Sequence, residues 1–257
     1  MAFSYFKNLY MKQLFVITLT SLLFYQCKTS VAGQEVKNSV YLEYSYGNLD
    51  NQPDYIKMMY GTQRVAIYAD AQYLTMESKQ ERDAETLAKM GPAMQSTILH
   101  DFNSGKTFIG ISMDTLKIKI EKTNEADFDL GDLMGVYRDS SYTISKTKTN
   151  ENILNNACVG YNVEKAEYPS TEILVNPNLK PSAALSRAPM FMARGNEYYG
   201  LILGNNSALG EVKISLRATK LELDQPRNAG KILDGYRLVT EEEGNRLMNA
   251  IMSGGRE

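Results

Sequence analysis

His100 is the only histidine in the chain, and imidazole is the side chain that exchanges protons near neutral pH. It lies in Thr97-Ile98-Leu99-His100-Asp101-Phe102, which reads as a strand, so a strand-surface or turn-adjacent role is expected. A Ser-His-Asp hydrolase would call for a Gly-x-Ser-x-Gly elbow, and none occurs. A zinc site on His100 would need further strong ligands, and the only cysteines are Cys27 and Cys158. Gly105-Lys106-Thr107 lacks the upstream glycine of a phosphate loop and sits in a hairpin rather than before a helix.

Three stretches carry metal-like chemistry. Asp127-Phe128-Asp129-Leu130-Gly131-Asp132 sets hard oxygen ligands at alternate positions, as a calcium loop does. Gly131 stands where a third ligand is required, so a solvated acidic loop is expected instead. Met58-Met59-Tyr60 and Met190-Phe191-Met192 offer thioethers of the kind that hold Cu(I). Flexible methionine also fills cores and lines adaptable pockets, and those are the ordinary readings. Cys158 opens an apolar stretch with no basic neighbour, which suits a buried small side chain rather than a reactive thiol. These residues point to no enzyme, no cofactor and no metal.

The elements that would carry such residues are mostly strands. Val40, Leu42, Tyr44 and Tyr46 alternate with polar residues. So do Leu116, Ile118 and Ile120, and so do Val212, Ile214, Leu216 and Ala218. Period-2 alternation marks half-buried strands. After Ala218 the phase slips to Leu221 and Leu223, which predicts a bulge or bend. Further strands are expected at 55–60, 64–69, 71–77, 96–102, 106–112, 141–148, 158–167, 171–175 and 197–203, all rich in Tyr, Ile, Val and Thr. Asn103-Ser104-Gly105 reads as a hairpin turn and 205–210 as a longer loop. Helix is expected at 78–90 and at the C-terminus, where Thr240 and Glu243 form a capping box behind Val239 and Gly254-Gly255 ends the helix. Residues 181–192 read as an irregular lid or loop. The fold class is mainly β: a curved antiparallel sheet or partly open β-barrel, with a C-terminal helix and short lid segments.

The N-terminus sets the compartment. Met11-Lys12-Gln13, an apolar run from Leu14 to Phe24 and a small-residue exit at Val31-Ala32-Gly33 describe a secretory signal peptide. Met11 is a better start than Met1, and residues 1–33 are expected to be removed, with 34–257 forming one β-rich domain. The run is too short for a comfortable bilayer span of about 20 residues. Cys27 offers a second route, acylation as a lipoprotein anchor, although bulky Phe24-Tyr25-Gln26 precedes it. Only that route would place the protein on a membrane. The expected location is the periplasm or the extracellular space. Lys7, Lys12 and Lys28 all precede residue 34, so cleavage takes the net charge from −2 to −5. That balance gives no argument for nucleic acid as a partner.

Several stretches resemble one family. Asn156-Ala157-Cys158-Val159-Gly160-Tyr161-Asn162-Val163-Glu164-Lys165-Ala166 is similar to the Gly-Tyr strand of the GLPGLI proteins, uncharacterised envelope proteins of Bacteroidetes. Tyr199-Gly200-Leu201-Ile202-Leu203 resembles the end of the motif that names the family, although Glu197-Tyr198-Tyr199 replaces its Gly-Leu-Pro. The stretch from Ser96 to Lys106 resembles its Asp…Gly-Lys hairpin, and Leu233-Asp234-Gly235-Tyr236-Arg237 its closing segment. The resemblance implies a lipoprotein-carrier-like fold, a partly open sheet with helices over its concave face, and no catalytic residues.

Two binding expectations follow. An apolar concave face lined by Leu116, Ile118, Ile120, Met190, Met192, Tyr199, Val212, Ile214 and Leu216 would hold a lipid or another apolar ligand. The same residues would equally pack a closed core. In that case the protein is an envelope or secretion-associated interaction module, meeting a protein partner through a sheet edge or loops.

Overall fold

Residues 40–44 show how the sequence builds the sheet. Val40, Leu42 and Tyr44 point to one face and are buried there, while Tyr41 and Glu43 point to the other. We call the face of Leu42 the inner face and that of Tyr41 the outer face. A computed structural model describes residues 33–47, 49, 52–54, 57, 60–61, 63–80, 93–113, 115–122, 142–164, 170–209 and 212–252. The chain divides into residues 1–34 and 35–257, and the following concerns the second unit and its first strand.

The strands, in chain order, are β1 (Gln34–Val36), β2 (Ser39–Gly47), β3 (Gln63–Asp70), β4 (Tyr73–Gln80), β5 (Gln95–Asp101), β6 (Lys106–Met113), β7 (Leu116–Lys122), β8 (Thr143–Ile153), β9 (Asn156–Glu164), β10 (Thr171–Asn176), β11 (Leu179–Pro181), β12 (Phe191–Arg194), β13 (Glu197–Leu209), β14 (Val212–Leu223) and β15 (Arg237–Val239). All but two join one thirteen-stranded sheet in the order β15-β7-β6-β5-β4-β3-β2-β14-β13-β10-β9-β8, with β12 also on β13. β1 and β11 pair separately. The sheet is large, curved and not closed into a barrel. Its two ends are β15 and β8, so of the two forms expected the curved open sheet is the one observed.

Strand register explains the inner core. Leu221, Leu42, Ile67, Met76, Ile98, Ile109, Ile120 and Val239 are consecutive cross-strand partners from β14 to β15. Directly opposed side chains are the unit of sheet stabilisation, and this row contains no polar member. The sequence reading of a phase slip after Ala218 is met by a bulge between Ala218 and Lys220, which keeps Leu221 and Leu223 in line with Leu42 and Val40.

β13 holds two neighbours along one edge. Its first half, Glu197–Leu201, pairs with β12, and its second half, Gly204–Leu209, pairs with β14. The backbone of Ile202 lies in the gap. Its N–H donates to the Met190 carbonyl at 2.9 Å, and its carbonyl accepts the Tyr44 hydroxyl at 2.8 Å. Buried backbone polar groups must find partners, and here one comes from a side chain two strands away.

The segment 181–192, expected as a loop or lid, is the plug of the inner core. Leu185, Met190 and Phe191 are all fully buried, in one cluster with Leu42, Tyr44, Leu74 and Leu201. Gly200 permits a close approach of the turn after β10. Its φ is +142°, and a Cβ there would overlap the Asn176 carbonyl.

From the end of β14 a strap, 224–236, runs over the outer face. Asp224 starts it in a left-handed conformation (φ 58°), which Asp tolerates, and its carboxylate accepts the N–H groups of Lys37 and Asn38. Ala229 packs on Tyr41 and Tyr68. Further along, Leu233 lies so close to β6 that a Cβ at Gly110 would overlap it. β15 then adds to β7, in parallel.

The C-terminal helix, Glu241–Met252, follows β15. Thr240 Oγ1 accepts the Glu243 N–H at 3.1 Å, the expected cap. Leu247 packs with Val239, Ile118 and Ile120. Three expectations are corrected. Asp54, Lys57 and Tyr60 are helical, with i to i−4 bonds from Lys57 and Gly61, so Lys57 and Tyr60, the described residues of the expected strand 55–60, are not strand. Residues 78–80 finish β4 rather than begin a helix, and 81–90 lie outside the described residues. Residues 205–209 are strand, not loop. The acidic stretch 127–132, Met58, Met59 and Gly254-Gly255 also lie outside the described residues.

Candidate functional site

The residues expected to line one apolar site are spread over several clusters. Leu116, Ile118 and Ile120 pack beneath the C-terminal helix. Met190 and Leu216 belong to the inner core. Met192 and Tyr199 pack with Ile173, Val175 and Ile202 in a separate cluster. Ile214 is buried, and the strand position of Val212 is described without its side chain. Tyr198 and Tyr199 alternate as expected, one against each of two clusters. The Met190 and Met192 side chains are both buried but in different clusters, which separates the thioethers of that motif.

His100 sits on β5 with Nδ1 2.8 Å from Thr107 Oγ1 on the paired strand, and its ring meets Phe102 edge-on. Cys158 lies in the inner core, its thiol pushed up to about 11 by burial. Among the described residues no group of three or more His, Cys, Asp or Glu is arranged to hold a metal ion. Among them, too, no helix is long and apolar enough to cross a membrane.

What sequence reasoning missed is on the outer face. A cavity of about 310 Å³ lies between β2–β4 and the strap. Tyr41, Tyr68, Thr75 and Glu77 form its floor, and Arg227 and Lys231 its strap side. Strand alternation places the floor residues together: Tyr41 opposes Tyr68, Tyr68 opposes Thr75, and Glu77 stands two residues beyond Thr75. Alternation of Tyr41 and Glu43 against Leu42 was the available signal. The strap's path across β2–β4 had no counterpart in local pattern.

The electrostatics of this groove are mostly settled internally. The Arg227 guanidinium lies 3.3 Å from the centroid of the Tyr41 ring and donates to Glu222 at 2.6 Å. Its backbone N–H donates to the Tyr68 hydroxyl at 3.2 Å, and that hydroxyl donates to Asp70 at 2.8 Å. Lys220 lies 5.5 Å from the same Tyr41 ring and 2.9 Å from Glu222. Tyr41 donates to Glu43. Burial, then the Glu43 carboxylate, push the Tyr41 hydroxyl up to about 12. Arg227 and Lys220 hold the Glu222 carboxyl below its ordinary range. Cation–π and ion-pair contacts of this kind anchor a loop at modest energy each, about 0.5–1 kcal/mol where exposed. Glu77 and Lys231 are the exceptions: neither side chain makes a hydrogen bond or ion pair among the described residues, Glu77 half-buried in the floor and Lys231 exposed on the strap.

A second polar knot lies near the β8 end. Glu172 accepts Thr147 and Thr149 from the bulge in β8, and Asn206 from β13. Partial burial alone would raise its carboxyl, but these three donors outweigh it and hold the group below its ordinary value. Arg217 clamps Glu151 through two bonds of 2.8 and 3.0 Å. The knot is saturated and holds β8 against the sheet.

Fold and groove together define the class: an open antiparallel-sheet protein with a plugged inner face and a polar groove beneath an outer strap. No protein-family model and no curated protein matches the chain. Among solved structures it resembles PNGF-II in its P21 crystal form, at 9 % identity and a TM-score of 0.44, over 83 % of this chain and 34 % of that one. It also resembles MucB, at 12 % identity and a TM-score of 0.39, over 80 % of this chain and 60 % of that one. The same protein in the Pseudomonas aeruginosa MucA/MucB complex matches at 12 % identity and a TM-score of 0.40, over 77 % and 56 %. The chain thus spans about a third of PNGF-II and under two thirds of MucB. Likenesses at this level carry no argument for a shared site or activity.

Proposed function

We propose that this is an exported, non-catalytic interaction module of the bacterial envelope, whose partner is a protein. The reading rests on one observation above the others. The inner apolar face is filled by the chain's own Leu185, Met190 and Phe191. A carrier of lipid or acyl chains needs that face vacant, because the guest gains its affinity from apolar surface removed from water. Among the described residues an accessible feature is a groove lined by tyrosines and an arginine, residue types enriched at protein-recognition surfaces, beside Glu77 and Lys231.

Export is supported by the signal-peptide pattern before residue 34, with Cys27 as the alternative anchor. The proposed kinship with GLPGLI proteins is supported by the placing of the similar stretches on β9, β13 and the β5–β6 hairpin. The test is a photo-crosslinking side chain at Asn228, which is exposed at the groove, with Lys148 on β8 as the control site. The expected result is one discrete adduct from Asn228 in intact cells, the same envelope protein in each preparation. Adducts equal at both sites, or lipid alone at Asn228, would overturn the reading.

A further inference from the structure

We infer that the outer-face groove receives a basic side chain, a lysine ammonium or an arginine guanidinium, presented by the partner polypeptide, with Glu77 as its counter-ion. The inference deepens the interaction-module reading and rests on it.

The charges decide the sign of the ligand. Glu43, Glu222 and Asp70 around the groove are all engaged, by Lys220 and Tyr41, by Lys220 and Arg227, and by Tyr68 with two backbone N–H groups. Arg227 is spent on Glu222 and the Tyr41 ring, so it is not a vacant anion receptor. Lys231 lies at the exposed strap side rather than in the floor. Glu77 alone lies in the floor without a partner among the described residues. A half-buried carboxylate in the floor is placed to receive a cation, which makes a charge-assisted bond there. The lining suits a long side chain with an apolar stem, since Ala66 and Ile232 stand beside the polar groups.

The test uses the full chain and three small probes, the N-acetyl methylamides of lysine, norleucine and glutamate, followed by amide chemical shifts. The lysine probe is expected to shift Tyr41, Thr75, Glu77 and Arg227, and norleucine to shift none of them. Glu77→Gln, which keeps the shape, is expected to weaken the lysine probe about tenfold, the size of one charged hydrogen bond. Lys231→Glu is expected to strengthen it, which keeps the test alive should Glu77→Gln fold poorly. Lysine binding unchanged in Glu77→Gln, no shift at the groove, or glutamate shifting it in place of lysine would each overturn the inference. If the lysine probe fails while the Asn228 adduct persists, the groove chemistry is wrong and the interaction reading stands. Loss of both removes both.

Discussion

The hydroxyl of Tyr44 donates to the carbonyl of Ile202 at 2.8 Å, joining residues 158 apart in sequence. The bond sits where β13 passes from β12 to β14, and Tyr44 is fully buried there. Burial alone drives the phenol's pKa well above the ordinary tyrosine value. Tyr44→Phe keeps the ring but strands a buried carbonyl. It is expected to lower stability by about 1–3 kcal/mol, read as a lower urea midpoint with an unchanged slope.

Gly200 and Gly110 mark two close approaches, one against the turn after β10 and one under the strap. Gly200→Ala combines a positive φ with overlap on the Asn176 carbonyl, which is backbone and cannot swing aside. Gly110→Ala meets the end of the Leu233 side chain, which can move. Gly200→Ala is therefore the more damaging, by more than about 2 kcal/mol overall. Thermal denaturation of the two variants side by side checks the order.

The Tyr41 hydroxyl, raised to about 12, links stability to alkaline pH. The folded state holds this proton more tightly than the unfolded chain does. Its contribution is thus fully present below pH 10, the ordinary tyrosine value, and is lost as pH rises through about 12. Chemical denaturation between those limits should show falling stability, and Tyr41→Phe should flatten part of the slope.

Cys158 is shielded by burial, with its thiol raised to about 11. Alkylation at pH 8 is expected to be slow in the native protein and fast in denaturant, read by peptide mapping of the Cys158 peptide. Fast native labelling would mean that the inner core opens readily.

Much of the sheet was legible in the chain. Alternation in 40–46, 116–120 and 212–218 reports which residues share a face, because strand side chains repeat every second residue. The slip after Ala218 was visible for the same reason. Residues 205–209 misled because Asn, Ser and Gly are turn formers, yet here a long two-stranded ribbon with β14 overrides that local preference. The binding residues were harder. Alternation says that Ile118 and Leu42 are buried but not by what, and the answer lies in the C-terminal helix and in 181–192, both distant in sequence. The groove escaped because it needs Glu77 on β4 and Arg227 on the strap to meet across a fold boundary that no local pattern encodes.

Native mass spectrometry of the full-length protein, released gently from the cells that make it, weighs most directly on a plugged inner face. The expected spectrum contains the bare polypeptide mass, or that mass with a protein partner. A stoichiometric, noncovalently held lipid that survives release would mean that Leu185, Met190 and Phe191 yield their places to a guest, and would contradict the account.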